Sequence, residues 1–476
     1  MRPKYLIKIV CFLAIFAVAW GYFNRVFISE HQFQNSAASF RDIAEQSDID
    51  VLFIGSSHVF TSTIPSVIDE KTKAISYNLG TDGLRLELSS VVLEEALKHT
   101  KPKVVAVEVF RGSVAAIETD KSRGFQLRAL DFASNTSGRK LKMAREIYEF
   151  NELTGVYSPL LRNHSNWNQA KFFSLDRQKK FNPANNLFDH GYIGSFIAVK
   201  DSTKEKYKDF RTTPQKTRKA PSFFKEIHHE EFKYLAGLAE KFGFELFLYT
   251  APDLRFPWVN GQLFDEIQSV ADTYGFKYLN QNLYFDELDL KTTDFKDASH
   301  LNFYGALKSS ALLGEFIAEN FELPDRSDTE LWQSKQQDFT ALAKQNTAEH
   351  VLLEGDTSYE LTEEMVLEYF ELTKVQSGYS VRFNFLNPPQ EAAGKYKLGI
   401  QLYPAQGAED QLTELSKSKG RKYDNYSIRL DVFNNDFEER LRTTIKDLGR
   451  VRLFLYDMDG YKGIIGKPQV ISDFKL

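Results

Sequence analysis

Cysteine is almost missing from this chain. Cys11 is the single one in 476 residues and sits inside an N-terminal apolar run, so the rest of the chain has no thiol to form a disulfide or to act as a nucleophile. Cys11 itself reads as a small apolar residue of that run, placed too early in it for a lipidated cysteine. A basic excess is missing too: 60 Lys and Arg face 65 Asp and Glu, a net charge of −5. Nucleic-acid binding leaves a basic patch or stripe, and none is legible. Internal repeats and extended low-complexity tracts are absent as well. What remains is an ordinary globular composition, 42% apolar and 26% charged. The chain is long enough for a large core and, at roughly 100 to 200 residues per domain, for two or three domains.

The N-terminus differs in kind. Met1-Arg2-Pro3-Lys4 precedes a stretch from Tyr5 to Tyr22 that is apolar apart from Lys8, with Arg25 just beyond. A run close to the ~20 residues that span a bilayer predicts an uncleaved signal anchor over 1–30. Positive charge ahead of the run predicts a cytoplasmic N-terminus, a single pass through the cell membrane and an exported body. The competing reading is a cleavable signal peptide, with Ala17-Val18-Ala19 as the cleavage site.

Over 31–325 buried strand patterns alternate with amphipathic helix patterns. The strands are VLFIG (51–55), ISYNLG (75–80), VVAVEVF (104–110), ELFLYTAP (245–252) and KYLN (277–280). Helices are expected through Leu86–His99, Glu230–Phe242, Phe264–Tyr274 and Tyr304–Asn320. Continuous apolar strands between helices predict an α/β fold with a parallel sheet covered on both faces. The stretch at about 111–225, without a clear strand, reads as a helical insertion leaving the carboxyl end of a core strand, where open α/β sheets place their sites. A polar, helix-prone stretch over 326–348 reads as a linker. Beyond it, period-two alternation in YSVRFNFLN, YKLGIQLYP, YSIRLDVFN and VRLFLYDMDG predicts an antiparallel β-sandwich over 349–476. Tyr403, Tyr456 and Tyr461 are candidates there for stacking on sugar rings; the competing reading puts such aromatics in the sandwich core.

Two short segments carry chemistry. In VLFIGSSHVF (51–60) an apolar run stops at Gly55 and turns into Ser56 and Ser57. In DASHLNFYGA (297–306) Asp297 stands three residues before His300, just ahead of a helix start. A serine hydroxyl is a weak nucleophile that needs a base, and the base needs an orienter. Each segment alone is weak, since Gly-Ser-Ser is often only a turn or helix cap. Together, in this order and on an α/β frame, they resemble the first and last blocks of the SGNH (GDSL-like) hydrolase superfamily. The resemblance covers about 50–322 and implies a three-layer, flavodoxin-like sheet, with Ser57 as nucleophile, His300 as base and Asp297 as orienter. It implies no metal and no cofactor. Its oxyanion donors would be the backbone N–H of Ser57 and of Gly80 or Gly83 in NLGTDG. The superfamily's Gly-x-Asn block after the third strand has no counterpart in VVAVEVFRGS, which leaves the third donor open. That departure is similar to the branch of alginate O-acetyltransferase and D-alanine transfer proteins.

The remaining candidates carry alternatives. His58 reads first as a turn residue pointing away from the site, because no ligand at zinc spacing accompanies it; a second base or substrate contact is the alternative. Glu108 and Arg111, at the end of the third strand, either shape the pocket or pair structurally. His164 and Trp167, in LLRNHSNW (160–167), pack a lid or touch substrate; that stretch loosely resembles one in membrane-anchored SGNH-like proteins. The resemblance implies serine-dependent transfer of an acyl group, acetyl in the related systems, to or from a cell-envelope or exported polysaccharide. It also implies a partner, a membrane-bound O-acyltransferase that hands the acyl group outward. The rival is a non-catalytic glycan-binding or assembly protein of the envelope.

Overall fold

The central sheet is made of strands too apolar to lie anywhere but between two layers. The computed structural model describes residues 3–27, 43, 48–114, 120–168, 188–195, 199, 201–214, 222–256, 261–347, 350–353, 355–375, 378–392, 394–412, 424–432, 439–442, 445, 447–460 and 463–472. Strands β1 (Val51–Gly55), β2 (Ser76–Gly80) and β3 (Val104–Glu108) precede a small hairpin, β4 (Phe188–Asp189) and β5 (Tyr192–Ile193); β6 (Glu245–Thr250) and β7 (Lys277–Asn280) follow it. The sheet order is β2-β1-β3-β6-β7 and every pairing is parallel. Successive side chains of a strand point to opposite faces: Leu52 and Ile54 enter one apolar cluster, Val51 and Phe53 the other. Helices Ser89–Ala96, Glu226–Phe242 and Gln262–Tyr274 close the first face through Leu93, Leu235 and Ile267. Helix Phe303–Asn320 closes the second through Leu313 and Ile317. Burial on both faces is why these strands read as unbroken apolar runs.

The strand order reverses at β1, since β2 lies on one side of it and β3 on the other. Such a reversal opens a crevice at the carboxyl ends of β1 and β3, where Ser57 and the 111–225 insertion begin. Among its described residues the insertion contains helices Asp120–Phe132, Gly138–Ile147, Leu153–Tyr157 and Pro159–Arg162. It also contains the β4–β5 hairpin, whose two-residue strands are too short for any periodicity to reveal. The expected helix over Leu86–His99 is a 3-10 turn, Leu86–Leu88, followed by helix Ser89–Ala96.

The N-terminal helix, Pro3–Val26, holds an apolar span from Lys4 to Asn24 long enough to cross a membrane. Its large apolar side chains, Phe12, Ile15 and Val18 among them, are exposed.

The stretch expected as a linker is a helix, Glu330–Thr347, docked on the α/β unit. Lys335 Nζ lies 2.7 Å from Asp69 Oδ2 and 2.9 Å from the Ser76 carbonyl, and both ionic side chains are buried. Arg326, just before the helix, pairs with Asp50. Composition shows a helix-prone connector with a long polar face; tertiary packing recruits one lysine of that face.

After this helix the strands form two antiparallel sheets, one centred on Val366–Val375 and Gly378–Phe385, the other on Tyr396–Pro404 and Leu448–Asp457. They share one apolar core, with Phe370, Leu372 and Phe383 from the first sheet and Ile400, Leu402 and Leu453 from the second. Tyr403 and Tyr456 are half-buried outside that core, each with a guanidinium over its ring: Arg450 at 4.0 Å and Arg429 at 3.6 Å from the centroids. Tyr461 lies outside the described residues.

A buried ion pair punishes loss of one partner more than loss of both. Lys335→Met is expected to lower unfolding stability by about 3 to 5 kcal/mol, because the Asp69 carboxylate is left without its cation. Adding Asp69→Asn should recover a large part of the loss. Denaturant titration of the two variants checks this; equal stability of both single and double variants with the parent would show that the helix is not anchored through this pair.

Candidate active site

Gly55 ends β1 because no side chain fits there. A Cβ would meet Val59 Cγ2 at 2.6 Å and Glu108 Cβ at 2.7 Å. The chain then enters the short helix Ser57–Ser62, with Ser56 as its N-cap: Ser56 Oγ accepts from the His58 N–H at 3.2 Å and donates to Glu108 Oε2 at 3.2 Å. Side-chain capping of this kind favours Ser at the turn. It leaves Ser57 as the first helical residue, half-buried at the carboxyl end of β1.

Asp297 and His300 lie on the loop that closes on itself before the last helix of the unit. Lys296 N donates to the His300 carbonyl at 2.8 Å, and Asn302 N to the Asp294 carbonyl at 2.9 Å. Asn302 caps helix Phe303–Asn320, its Oδ1 accepting from Tyr304 N and Gly305 N. The result is a continuous chain of contacts. Ser57 Oγ is 2.8 Å from His300 Nε2, and His300 Nδ1 is 2.9 Å from both carboxylate oxygens of Asp297. Ser299 N and Oγ also donate to Asp297 Oδ1, at 2.9 and 3.1 Å. Partial burial acts to raise the Asp297 pKa, but the hydrogen bond and charge of His300 and the Ser299 donors outweigh it, holding the carboxyl well below the usual range. An ionised Asp297 accepts a hydrogen bond from Nδ1–H, which fixes the tautomer and leaves Nε2 as the acceptor for the Ser57 hydroxyl.

His58 does not point away. It is buried, its ring stacked on Phe110 at 4.0 Å between centroids and set edge-on to His300 at 5.2 Å. Burial first, then the nearby His300 and Arg255, push its imidazole well below the ordinary value, so it is neutral. Sequence reasoning treated it as a turn residue because the turn alone is visible there; helix Ser57–Ser62 rotates it inward. Its Nδ1 faces Glu108 Oε1 at 3.7 Å, beyond hydrogen-bond range, and neither atom has another partner among the described residues. Glu108 is buried beneath the Gly55–Ser57 turn, and burial pushes its carboxyl up to about 8 against the opposing Ser56 hydrogen bond. Glu108 therefore supports the turn from below.

A cavity of about 470 Å³ opens beside His58. Phe110, Phe256 and Tyr207 give it aromatic walls, and Arg111, Lys206 and Arg255 give it cations. Arg255 is held by Asp253, Nε to Oδ1 at 2.9 Å and Nη2 to Oδ2 at 2.6 Å. Of the sequence candidates, His58 and Arg111 line this cavity. Phe110, Tyr207, Asp253, Arg255 and Phe256 were not singled out, although the position of APDLRF directly after β6 follows the rule that sites gather at strand carboxyl ends. His164 and Trp167 neither line the cavity nor pack a lid over it. Both are exposed and held locally, His164 Nδ1 on the Leu161 carbonyl at 3.1 Å and Trp167 Nε1 on the Leu160 carbonyl at 3.0 Å. A sequence motif cannot reveal that its side chains face out.

The oxyanion candidates separate. The Ser57 N–H opens its helix and has no partner among the described residues. The Gly80 N–H is already donated to Asn78 Oδ1 at 3.0 Å, which removes it as a ready donor. Gly83 sits in a turn at φ 65° with its carbonyl held by Gln126 Nε2 at 2.8 Å. No group of three His, Cys, Asp or Glu side chains among the described residues is placed to hold a metal ion.

The Glu108 proton has a thermodynamic signature. Its folded value of about 8 exceeds the ordinary 4.5, so between those values the folded state holds a proton that the unfolded chain has released. Stability contributed by this group is then lost as pH rises through that window. Glu108→Gln has no proton to lose, so the stability difference between variant and parent should move in the variant's favour as pH rises; denaturant midpoints across the window measure it. A difference that does not change with pH would show an ordinary, ionised Glu108.

Comparison with protein-family models finds none that matches this chain, and comparison with curated proteins finds no significant match, so the chemistry of the site rests on its own geometry.

Proposed function

We propose that this protein is an SGNH-type serine acyltransferase or esterase, anchored in a membrane by its N-terminal helix and acting on a cell-envelope or exported polysaccharide. The observation that carries the reading is the Ser57–His300–Asp297 chain, nucleophile to base to orienter, at 2.8 and 2.9 Å. The parallel sheet with helices on both faces, and the order of the two motifs along the chain, support the three-layer SGNH architecture. The polysaccharide acceptor, the acetyl group and a membrane-bound O-acyltransferase as donor come from the resemblance to alginate O-acetyltransferase and D-alanine transfer proteins.

In the proposed reaction Ser57 Oγ attacks the acyl carbonyl as His300 Nε2 takes its proton, and Asp297 stabilises the imidazolium. The negative charge that forms on the carbonyl oxygen faces the Ser57 N–H, a donor set in place before the reaction. Collapse breaks the bond to the leaving alcohol or donor group, which takes the proton back from His300, and leaves the acyl group on Ser57. A sugar hydroxyl then gives its proton to His300 and attacks the acyl carbon, regenerating Ser57. With water in that role the same cycle is hydrolysis. The aromatic and cationic cavity beside His58 would seat the group that leaves or arrives.

Ser57→Ala and His300→Ala should each lower turnover of an acetyl ester by about 10⁶-fold and Asp297→Asn by about 10⁴-fold, as loss of the matching triad member does elsewhere. A serine-directed fluorophosphonate should label Ser57 in the parent protein and fail to label the His300→Ala variant. An intact, folded protein whose Ser57 stays unlabelled, and whose Ser57→Ala variant matches the parent in ester turnover and acyl transfer, overturns the enzymatic reading in favour of a non-catalytic envelope protein.

A further inference from the structure

The segment of the insertion that carries His164 and Trp167 is unused by the proposed chemistry, yet it is tied to the end of the N-terminal helix. Asn24 Oδ1 accepts from Ser158 Oγ at 2.7 Å and from Leu160 N at 3.2 Å, and Asn163 Nδ2 donates to the Phe27 carbonyl at 3.1 Å. Val26 and Phe27 are buried, whereas the helix before them is exposed. The helix thus enters the body of the protein at this segment.

Depth follows from length. The apolar span Lys4–Asn24 has 21 residues, about 31 Å at 1.5 Å per residue, against a hydrocarbon core of about 30 Å. Asn24 therefore stands at the edge of the hydrocarbon. Trp167 is linked to it through Leu160: its Nε1 donates to the carbonyl of Leu160, the residue whose N–H is bound to Asn24. With its N–H satisfied inside the protein, Trp167 turns a ring that is 46% exposed outward. Trp20 and Tyr22, on the last turns of the helix, are exposed nearby, and the Trp20 carbonyl accepts from Asn24 Nδ2 at 2.9 Å. Trp and Tyr gather at the level of lipid headgroups because each ring is apolar in body and polar at one point.

We infer that the exposed end of this segment, carrying His164 and Trp167, forms a membrane-contacting surface whose partner is the headgroup layer of a phospholipid bilayer, with Trp167 seated in that layer. The inference rests on reading the N-terminal helix as a membrane anchor. The anchor is then a docked element that fixes which face of the body lies on the bilayer.

The test uses the full-length protein in phosphatidylcholine nanodiscs, with Trp20, Trp258 and Trp332 changed to Phe so that Trp167 alone emits. Lipids brominated on the acyl chains close to the headgroup should quench most of its emission, and lipids brominated near the chain ends should quench it less. Unchanged emission in both lipids, together with ready quenching by aqueous iodide, overturns the inference. A sister protein retaining only Trp20 separates the two failures: if Trp20 is also unquenched the anchor reading has failed, whereas quenched Trp20 beside unquenched Trp167 defeats this inference alone. Should the triple replacement fail to fold, the quenching lost between the parent and Trp167→Phe in the same brominated discs reads the same quantity, and no loss overturns the inference.

Discussion

The hydrogen bond between Ser57 Oγ and His300 Nε2 is the contact around which the α/β unit is arranged. It joins residues 243 positions apart in sequence at 2.8 Å, and hydrogen bonds weaken steeply outside a narrow range of distance and angle. Both ends must therefore be held by rigid elements. On one side the support is the buried interior strand β1 and a capped helix; on the other it is a loop closed by its own backbone bonds and by the Asn302 cap. A second tie joins the two directly: Ser310, on the last helix of the unit, accepts from Ile64 N at 2.8 Å and donates to the Ser62 carbonyl at 3.1 Å. The end of the helix that Ser57 opens and the helix that follows His300 are thus pinned to each other.

Beneath this contact the charge is arranged by burial. Asp297 reaches solvent and is ionised, whereas Glu108 is enclosed and favours its proton, and His58 between them is neutral. Two carboxyl groups of the same chemistry thus differ in charge because they differ in hydration and in donors. In the proposed cycle a second carboxylate under the nucleophile would compete with Asp297 for the imidazolium of His300. A protonated Glu108 avoids that competition while still bracing Ser56.

The three remaining parts of the chain attach by different physics. The helix Glu330–Thr347 is held by a buried ion pair and the neighbouring Ser76 carbonyl. The C-terminal sheets stand on their own apolar core, and none of their residues enters the clusters of the α/β unit. The N-terminal helix is joined to the body through amide and backbone hydrogen bonds at Asn24 and Asn163. Polar fixings of that kind suit a boundary where hydrocarbon gives way to water.

The sequence by itself determined the strands of the central sheet, the two-sheet character of the C-terminal part, the long apolar N-terminal span and the choice of Ser57, Asp297 and His300 as candidates. These follow from local quantities: apolar periodicity, the turn chemistry of Gly55 and Ser56, the length of an uncharged run and the three-residue spacing of Asp and His. Tertiary structure alone decided the rest. His58 and Glu108 became a buried, uncharged pair because solvent exclusion depends on what the other strands and the insertion place over them. Gly80 is engaged by Asn78, which spacing cannot show because a backbone donor looks the same in sequence whether it is free or bound. Arg255, Tyr207 and Phe256 reach one cavity from segments that only the sheet order brings together. Trp167 faces outward, linked to Asn24 through Leu160, because a hydrogen bond between residues more than a hundred positions apart sets its place. Periodicity reports which face of an element is apolar, and only packing settles what that face, or the one opposite, will meet.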